Sequence, residues 1–250
     1  MLFNVDHDKL ANVDLVEDVN RLPDAAARQY GFEDETLHFL TRVGLPSAEE
    51  YELGFYLPQE FDPDFIWDCA AKAAEGWKAP EGVEAVAKIG NFPINAVTIA
   101  PETGVVYQYT EGGMQAIAIH EDISSLIKTT ALFLDYIGSH DAGDEDPEYA
   151  DARRQREVEA LMASIREVDP LPFAHEYSEW VELFDNLRGA CTPNGTPHLQ
   201  AAGVNKGTGR ERAPSHCSQG ADPRNRKRAV MKTALHLRHS IRSNCRDDRI

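Results

Sequence analysis

Acidic and histidine side chains that meet at residues 120–122 are the first candidates for chemistry. The stretch HEDISS places His120 directly before Glu121 and Asp122, a combination that could carry out acid–base catalysis. The stretch also joins an alternating run to an apolar helical stripe, so a strand-to-helix junction capped by Asp122 explains it better. The sequence contains no G-x-S-x-G, Gly-rich phosphate loop, H-E-x-x-H or C-x-x-C motif. We therefore expect a protein that is not an enzyme and uses no cofactor.

Two further stretches are rich in residue types that bind metal ions. HDAGDEDPEYAD (residues 140–151) is dense in carboxylates but lacks the ligand spacing of a calcium loop, which favours a solvated acidic linker. The C-terminal quarter contains cysteines and histidines at Cys191, His198, His216, Cys217, His236, His239 and Cys245. Because their spacing is irregular and no C-x-x-C pair exists, we predict no metal site.

Side chains in and around the stretch VVYQYT are candidates for contact with another protein. Tyr107 and Tyr109 lie on one face of this predicted strand, where a partner could meet them, and packing in the core is the alternative. Together with the acidic residues Glu111 and Glu121, they form the predicted partner-binding set.

The elements that would position these residues are clearest between residues 84 and 137. Four short runs, EAVAKIG, NAVTIA, VVYQYT and QAIAIH, are separated by turn sequences such as PETG and EGG, which predicts a meander of antiparallel strands. The next segment carries an apolar stripe of Ile123, Leu126, Ile127, Thr130, Leu134 and Ile137, which predicts a helix lying on this sheet. The predicted fold class is therefore α+β, with a small, mostly antiparallel sheet packed by helices.

Helices are predicted on both sides of the meander. VDLVEDVNRL (residues 13–22) indicates a short acidic helix, and DETLHFLTRVGLP indicates a helix capped by Asp34. DPDFIWDCAAKAAEGW (residues 62–77) indicates a helix that begins at Asp62 or Asp64. EYSEWVELFDNL is a last amphipathic helix, with core candidates Trp180, Leu183 and Phe184.

Charge and aromatic content change abruptly near residue 190. Residues 190–250 contain 12 of the 25 Lys and Arg residues, 4 of the 42 Asp and Glu residues, and no Phe, Tyr or Trp. Residues 1–189 therefore hold 13 basic and 38 acidic residues, a net charge of −25, whereas the tail carries +8. Without aromatic residues the tail has little apolar surface to offset the entropy of ordering, so we predict a basic, disordered C-terminal tail. An out-of-frame or appended extension and a tail that folds back on the acidic domain are both open.

The acidic body limits the class of partner. A charge of −25 repels nucleic acid and anionic membranes and attracts basic partners, and acidity that serves only solubility is the alternative. Residues 1–189 contain one cysteine, Cys69, the N terminus lacks the basic region of a secretory signal, and no apolar run approaches about 18 residues. These features predict a cytoplasmic protein that binds neither nucleic acid nor a membrane.

Three stretches of the chain, over about residues 30–188, resemble the SUKH superfamily, in particular its fourth group of bacterial immunity proteins. They are TLHFLTRVGLP, the long segment from KIGNFPINAVTIAPETG to TTALFLDYI, and VDPLPFAHEYSEWVELFDNLRG. The residues that match the family pattern are Thr36, Phe39, Leu40, Val43, Gly44, Leu45 and Pro46 in the first stretch, Ile99, Pro101, Glu102, Thr103, Gly104 and Val106 in a hairpin of the second, and Asp169, Pro170 and Trp180 in the third.

The resemblance implies an α+β fold without catalytic residues and a role in toxin neutralisation. It implies that the protein binds and blocks a basic toxin effector domain, of nuclease or deaminase type, from a polymorphic toxin system. An intracellular scaffold or regulatory adaptor on the same fold is the alternative. The predicted organisation is an N-terminal helical extension (1–29), a SUKH-like immunity domain (30–188) and a basic low-order tail (189–250).

Overall fold

The computed structural model of the chain describes residues 1–51, 53–139 and 147–189. Met1–Gly189 form one of two structural units, and the other, Ala190–Ile250, lies outside the described residues. The predictions for the tail after residue 189, and for the acidic linker at residues 140–146, therefore fall outside the described residues. The last part of the predicted linker, residues 147–151, belongs instead to a helix.

The described residues form seven α-helices and eight β-strands. The helices are α1 (His7–Ala11), α2 (Asp24–Ala27), α3 (Asp34–Arg42), α4 (Cys69–Ala74), α5 (Ile123–Ser139), α6 (Pro147–Val168) and α7 (Glu179–Gly189). The strands are β1 (Asp18–Asn20), β2 (Leu45–Ser47), β3 (Gly54–Phe55), β4 (Ile66–Asp68), β5 (Ala85–Asn91), β6 (Ala96–Ile99), β7 (Val106–Thr110) and β8 (Gln115–His120).

A six-stranded antiparallel sheet lies at the centre of the fold. Strands β5, β6, β7 and β8 are paired in sequence order, so the predicted meander is confirmed. Two short strands share the outer edge of β5, with β3 opposite residues 90–91 and β4 opposite residues 85–87. Strands β1 and β2 form a separate two-stranded sheet.

Helix α5 buries its apolar stripe, as its periodicity predicts. Ile123, Leu126, Ile127, Thr130 and Leu134 are all 0% exposed, whereas Ile137, the last residue of the predicted stripe, is half-buried. Asp122 caps the helix, because its carboxylate accepts the backbone N–H of Ser125 at 2.9 Å. The predicted core residues of α7 are also confirmed, since Trp180, Leu183 and Phe184 are buried. The fold class is therefore α+β, as predicted.

The helix predicted over residues 13–22 is wrong. The segment contains a turn in which Leu15 has a positive φ of 74°, followed by strand β1. The strand forms because Val19 pairs with Pro46 of β2, more than twenty residues away. A tertiary pairing thus overrides the local helical pattern.

The helix predicted over residues 62–77 exists only in its second half. Residues 66–68 form strand β4 on the free edge of β5, and α4 begins after it at Cys69. The helix is capped by Asp68, whose carboxylate accepts the Ala71 N–H at 2.7 Å. Asp62 caps the preceding 3-10 turn, Pro63–Phe65.

The prediction that Asp34 caps α3 is wrong by one residue. Glu33, rather than Asp34, precedes the helix, and its carboxylate accepts the N–H groups of Glu35 at 2.8 Å and Thr36 at 2.6 Å. The backbone N–H of Glu33 donates to the Pro101 carbonyl at 2.8 Å. The turn between β6 and β7 therefore fixes where the helix begins.

Candidate partner-binding surface

Tyr107 and Tyr109 lie on the face of the sheet that α7 does not cover. Gln108, between them in β7, accepts the backbone N–H of Glu179 at 3.0 Å and donates to the Tyr177 carbonyl at 2.8 Å. Because successive side chains of a strand point to opposite faces, both tyrosines point away from α7. The structure thus confirms that the two share a face.

The two tyrosines differ in exposure. Tyr109 is only 2% exposed and belongs to a cluster with Cys69, Val86 and Ala100. Its ring packs against Trp67, with ring centroids 5.5 Å apart, and burial raises the pKa of its hydroxyl. Tyr109 therefore packs in the core, and almost none of its ring surface is accessible to a partner. Tyr107 is half-buried.

Glu111 and Glu121 lie at opposite ends of β8. Both side chains are exposed, and each residue is anchored through its backbone N–H, which donates to Asn95 Oδ1 at 3.1 Å for Glu111 and to Asp169 Oδ2 at 3.0 Å for Glu121. A strand of six residues spans about 20 Å. The structure therefore brings the two tyrosines together and separates the two glutamates, and contact of these residues with a partner stays a prediction.

A fully buried polar network lies beneath the junction of β8 and α5. His120, Ser125, Asp169 and Trp180 are all 0% exposed. Ser125 Oγ donates to Asp169 Oδ2 at 2.5 Å, and His120 Nδ1 lies 2.9 Å from Ser125 Oγ and 3.4 Å from Asp169 Oδ2. On the other side of the imidazole, Trp180 Nε1 donates to His120 Nε2 at 2.7 Å.

Serine, histidine and aspartate are the residue types of a hydrolytic triad, but their arrangement here stabilises the fold. In a triad the imidazole accepts the serine proton, whereas here the serine hydroxyl donates to the aspartate and Trp180 occupies the accepting nitrogen, Nε2. Burial lowers the pKa of His120 although Asp169 lies beside it, so the ring is neutral. Burial alone would raise the pKa of Asp169, but hydrogen bonds from His120, Ser125 and two backbone N–H groups lower it.

Sequence reasoning missed this network. The signal was present in two places, because His120 opens the HEDISS stretch and Asp169 and Trp180 belong to the DP…W segment. Each part was interpreted separately, as a junction and as a family pattern. A histidine, an aspartate and a tryptophan in apolar surroundings need hydrogen-bond partners, and here they provide them for one another.

The stability contributed by neutral His120 should fall on acidification. Because its folded-state pKa lies below the value of about 6.5 for an unfolded chain, the unfolded state binds more protons below that pH. We expect the difference in unfolding free energy between the wild type and His120→Gln to shrink from pH 7.5 to 5.5, by at most about 1.4 kcal/mol per pH unit. Urea titrations followed by circular dichroism measure this difference. Changes in overall acidic repulsion cancel between the two proteins, so a constant difference would contradict a neutral His120.

A cleft of about 180 Å³ opens beside the β6–β7 turn. Its lining includes Tyr30, Gly82, Glu84 and the turn residues 101–103, with no Lys, Arg or His. The carboxylates of Glu84 and Glu102 are exposed, and within the described residues neither makes a hydrogen bond or an ion pair. Sequence analysis did not single out this cleft, and its signal was the PETG turn, which carries Glu102.

Neither a metal centre nor a membrane-spanning helix is found in the part of the chain that the structure describes. Within residues 1–51, 53–139 and 147–189, no three His, Cys, Asp or Glu side chains cluster in a way that could hold a metal ion. The cysteines and histidines of the tail lie outside these residues. None of the described helices has the length and apolar character needed to cross a membrane.

Comparisons with known proteins give one match. A family model described as "SUKH-4 immunity protein" matches residues 5–186, which is most of the chain. No curated protein and no solved structure matches the chain significantly. The matched range contains both the buried network and the cleft.

Proposed function

The chain belongs to the SUKH-4 immunity protein family, and from this we propose that it binds and neutralises a toxin domain of a polymorphic toxin system. The proposed partner is a basic effector domain of nuclease or deaminase type, met in the cytoplasm. Immunity proteins of this family are generally non-enzymatic, and neutralisation needs only tight binding that blocks the toxin.

The charge of the body is the observation that carries the proposal for a basic partner. Residues 1–189 contain 38 acidic residues and 13 Lys and Arg residues, so carboxylates outnumber basic side chains by 25 in this part of the chain. Among the described residues, some ion pairs are local, such as Lys72–Glu75, and others join separate segments, such as Arg42–Asp24. A toxin domain that binds nucleic acid needs a basic surface, and an acidic protein can occupy that surface in place of the substrate.

The contact surface that we propose includes the exposed members of the predicted set. Glu111 and Glu121 supply charge at the two ends of β8, and Tyr107 supplies a partly exposed aromatic ring between them. Tyr109 supports this face from within the core, where its ring packs against Trp67 and Trp77. Aromatic residues within an acidic surround suit a binding surface of this kind.

Association with the toxin should depend strongly on salt. We expect the association rate constant to fall about tenfold or more when ionic strength rises from about 0.05 to about 0.5 M, because the Debye length shortens severalfold. The partner for this measurement is a purified candidate toxin domain, chosen from open reading frames that neighbour this gene and mixed with the full chain in a stopped-flow instrument. The dissociation rate constant should change much less.

Two outcomes would contradict the proposal. An association rate that does not respond to salt would contradict a charge-steered partner. Co-expression that fails to protect cells from the toxin domain would contradict neutralisation itself, and binding without protection would favour the adaptor role.

A further inference from the structure

We propose that the cleft between Tyr30, Glu84 and Glu102 receives an arginine side chain of the toxin domain. This inference rests on the proposed function, because it names the chemical group that the immunity protein recognises. It concerns a cleft beside the β6–β7 turn, and none of the four predicted partner-binding residues lines this cleft.

An aromatic cluster that includes the lining residue Tyr30 lies beside the cleft and is held in place by hydrogen bonds. The Tyr30 hydroxyl accepts the backbone N–H of Asp62 at 2.8 Å, and the Tyr30 ring packs edge-on against Phe65 with centroids 4.8 Å apart. Tyr30 lines the cleft and is itself buried, whereas Phe61, which stacks on it with ring centroids 5.2 Å apart, lies next to this lining residue and is 48% exposed. A large exposed aromatic ring on a fixed support is a surface on which a planar cation can stack.

The β6–β7 turn, which carries Glu102, also lines the cleft. The Gly104 N–H donates to the Ala100 carbonyl at 2.9 Å, and the Pro101 carbonyl accepts the Glu33 N–H at 2.8 Å. Gly104 has a φ of +72°, and a Cβ atom there would lie 2.9 Å from Thr36 Oγ1. The turn is therefore closely fitted to α3, and Glu102 projects from a rigid support.

Charge defines the occupant. Glu84 and Glu102 line the cleft, and further carboxylates at Glu60, Asp64 and Glu81 lie close to it in the chain. None of these five side chains is held by a cation within the described residues. A guest that carries positive charge is the complement of this cleft.

The combination of carboxylates with an aromatic ring selects arginine over lysine. A guanidinium group is planar, stacks on aromatic faces and donates two parallel hydrogen bonds to a carboxylate. A lysine ammonium group is a compact, strongly hydrated charge that stacks less favourably on an aromatic ring. The lining of the cleft also contains Ile66, Val83 and Ala100, whose apolar side chains suit the methylene chain of arginine.

The first test uses a peptide and does not require the toxin. The full chain is titrated with acetyl-Gly-Arg-Gly-amide, and its backbone amide chemical shifts are followed by NMR. We expect the shifts to concentrate at residues 30–31, 61, 82–85 and 101–103. We expect the same peptide with lysine in place of arginine to bind about threefold more weakly. The same peptide with glutamine in place of arginine should cause no saturable change in chemical shift.

Matched variants separate the cleft from overall charge. The double variant Glu84→Gln/Glu102→Gln should lower the affinity for the arginine peptide at least about fivefold. The control Glu17→Gln/Glu167→Gln removes the same charge at exposed sites elsewhere and should change this affinity less than about twofold. Equal weakening in the two variants, or shifts spread over the acidic surface, would overturn the cleft as a specific site.

The toxin domain then distinguishes this inference from the proposed function. Glu84→Gln/Glu102→Gln should bind the toxin domain about tenfold more weakly than Glu17→Gln/Glu167→Gln, with unchanged thermal unfolding. If the wild type protects cells and the two double variants bind the toxin equally, the cleft inference fails and the proposed function stands. If the wild type does not bind the toxin, the proposed function fails, and the inference that the toxin supplies the arginine fails with it.

Discussion

Replacing Asp169 with alanine should lower the free energy of unfolding by about 3–5 kcal/mol. The carboxylate is fully buried and accepts the N–H of Glu121 at 3.0 Å, the N–H of Leu171 at 2.9 Å and the hydroxyl of Ser125 at 2.5 Å, with His120 Nδ1 at 3.4 Å. Alanine would leave these donors buried without an acceptor. It would also release the end of α6 from the start of α5.

A conservative variant and a matched control define the measurement. Asp169→Asn should lower the unfolding free energy by about half as much as Asp169→Ala. The amide oxygen of asparagine can replace one carboxylate oxygen as an acceptor, but its NH₂ group replaces the other oxygen and faces a donor. Glu167→Ala, at an exposed position in the last turn of α6 two residues before Asp169, should change the unfolding free energy by less than about 0.5 kcal/mol. Urea unfolding followed by far-ultraviolet circular dichroism gives all three values. A loss below about 1 kcal/mol for Asp169→Ala would contradict a structural role for the network.

The meander and helix α5 could be predicted because their determinants are local. Large apolar and small or polar residues alternate along strand β8, and the apolar residues of α5 recur at helical spacing. The local sequence of each element therefore shows the periodicity of its secondary structure. The turns at 101–104 and 111–113 contain the residues that such turns require. Neighbouring strands in sequence then pair with one another, which is the commonest arrangement.

The short strands could not be predicted because their determinants are distant. Strands β1 and β4 have three residues each, too few to show a period, and each exists because a free strand edge lies beside it. The same holds for the cap of α3, where the Pro101 carbonyl positions Glu33 from nearly seventy residues away. Local sequence shows which residues can cap a helix, and tertiary contacts determine which one does.

The partner-binding surface was only partly predictable for a related reason. Alternation shows that Tyr107 and Tyr109 share a face, but it does not show what covers that face. The segment that buries Tyr109 contains Trp67, Cys69 and Trp77, which precede it by some forty residues. The cleft is likewise assembled from four separate stretches, near residues 30, 66, 82–85 and 100–103.

Two stretches that sequence analysis treated separately meet in one structure. HEDISS provides His120 and Ser125, and the DP…W segment provides Asp169 and Trp180. Pro170 follows the end of α6, and the Asp169 side chain accepts the Leu171 N–H in the turn that begins there. The matching residues of the DP…W segment therefore hold α6 and α7 against the sheet, and their role is to stabilise the fold that presents the binding surface.

Replacing Trp180 with alanine should lower the free energy of unfolding by about 3–5 kcal/mol. The side chain is 0% exposed, and its ring packs edge-on against Phe92 at 5.1 Å and Phe133 at 6.1 Å, with Phe184 at 6.1 Å. Alanine would open a cavity between the sheet and helices α5 and α7. It would also remove the indole N–H that His120 Nε2 accepts.

Phenylalanine at position 180 separates these two contributions. Trp180→Phe keeps an aromatic ring in the cluster but leaves His120 Nε2 without its donor, so we expect a loss of about 1–3 kcal/mol. Trp67→Phe, a half-buried tryptophan on the other face of the sheet, is the control and should cost less than about 1 kcal/mol. Circular dichroism is the suitable probe, because each variant changes the tryptophan fluorescence. If Trp180→Phe costs no more than Trp67→Phe, the indole hydrogen bond contributes nothing, and ring packing alone holds α7 on the sheet.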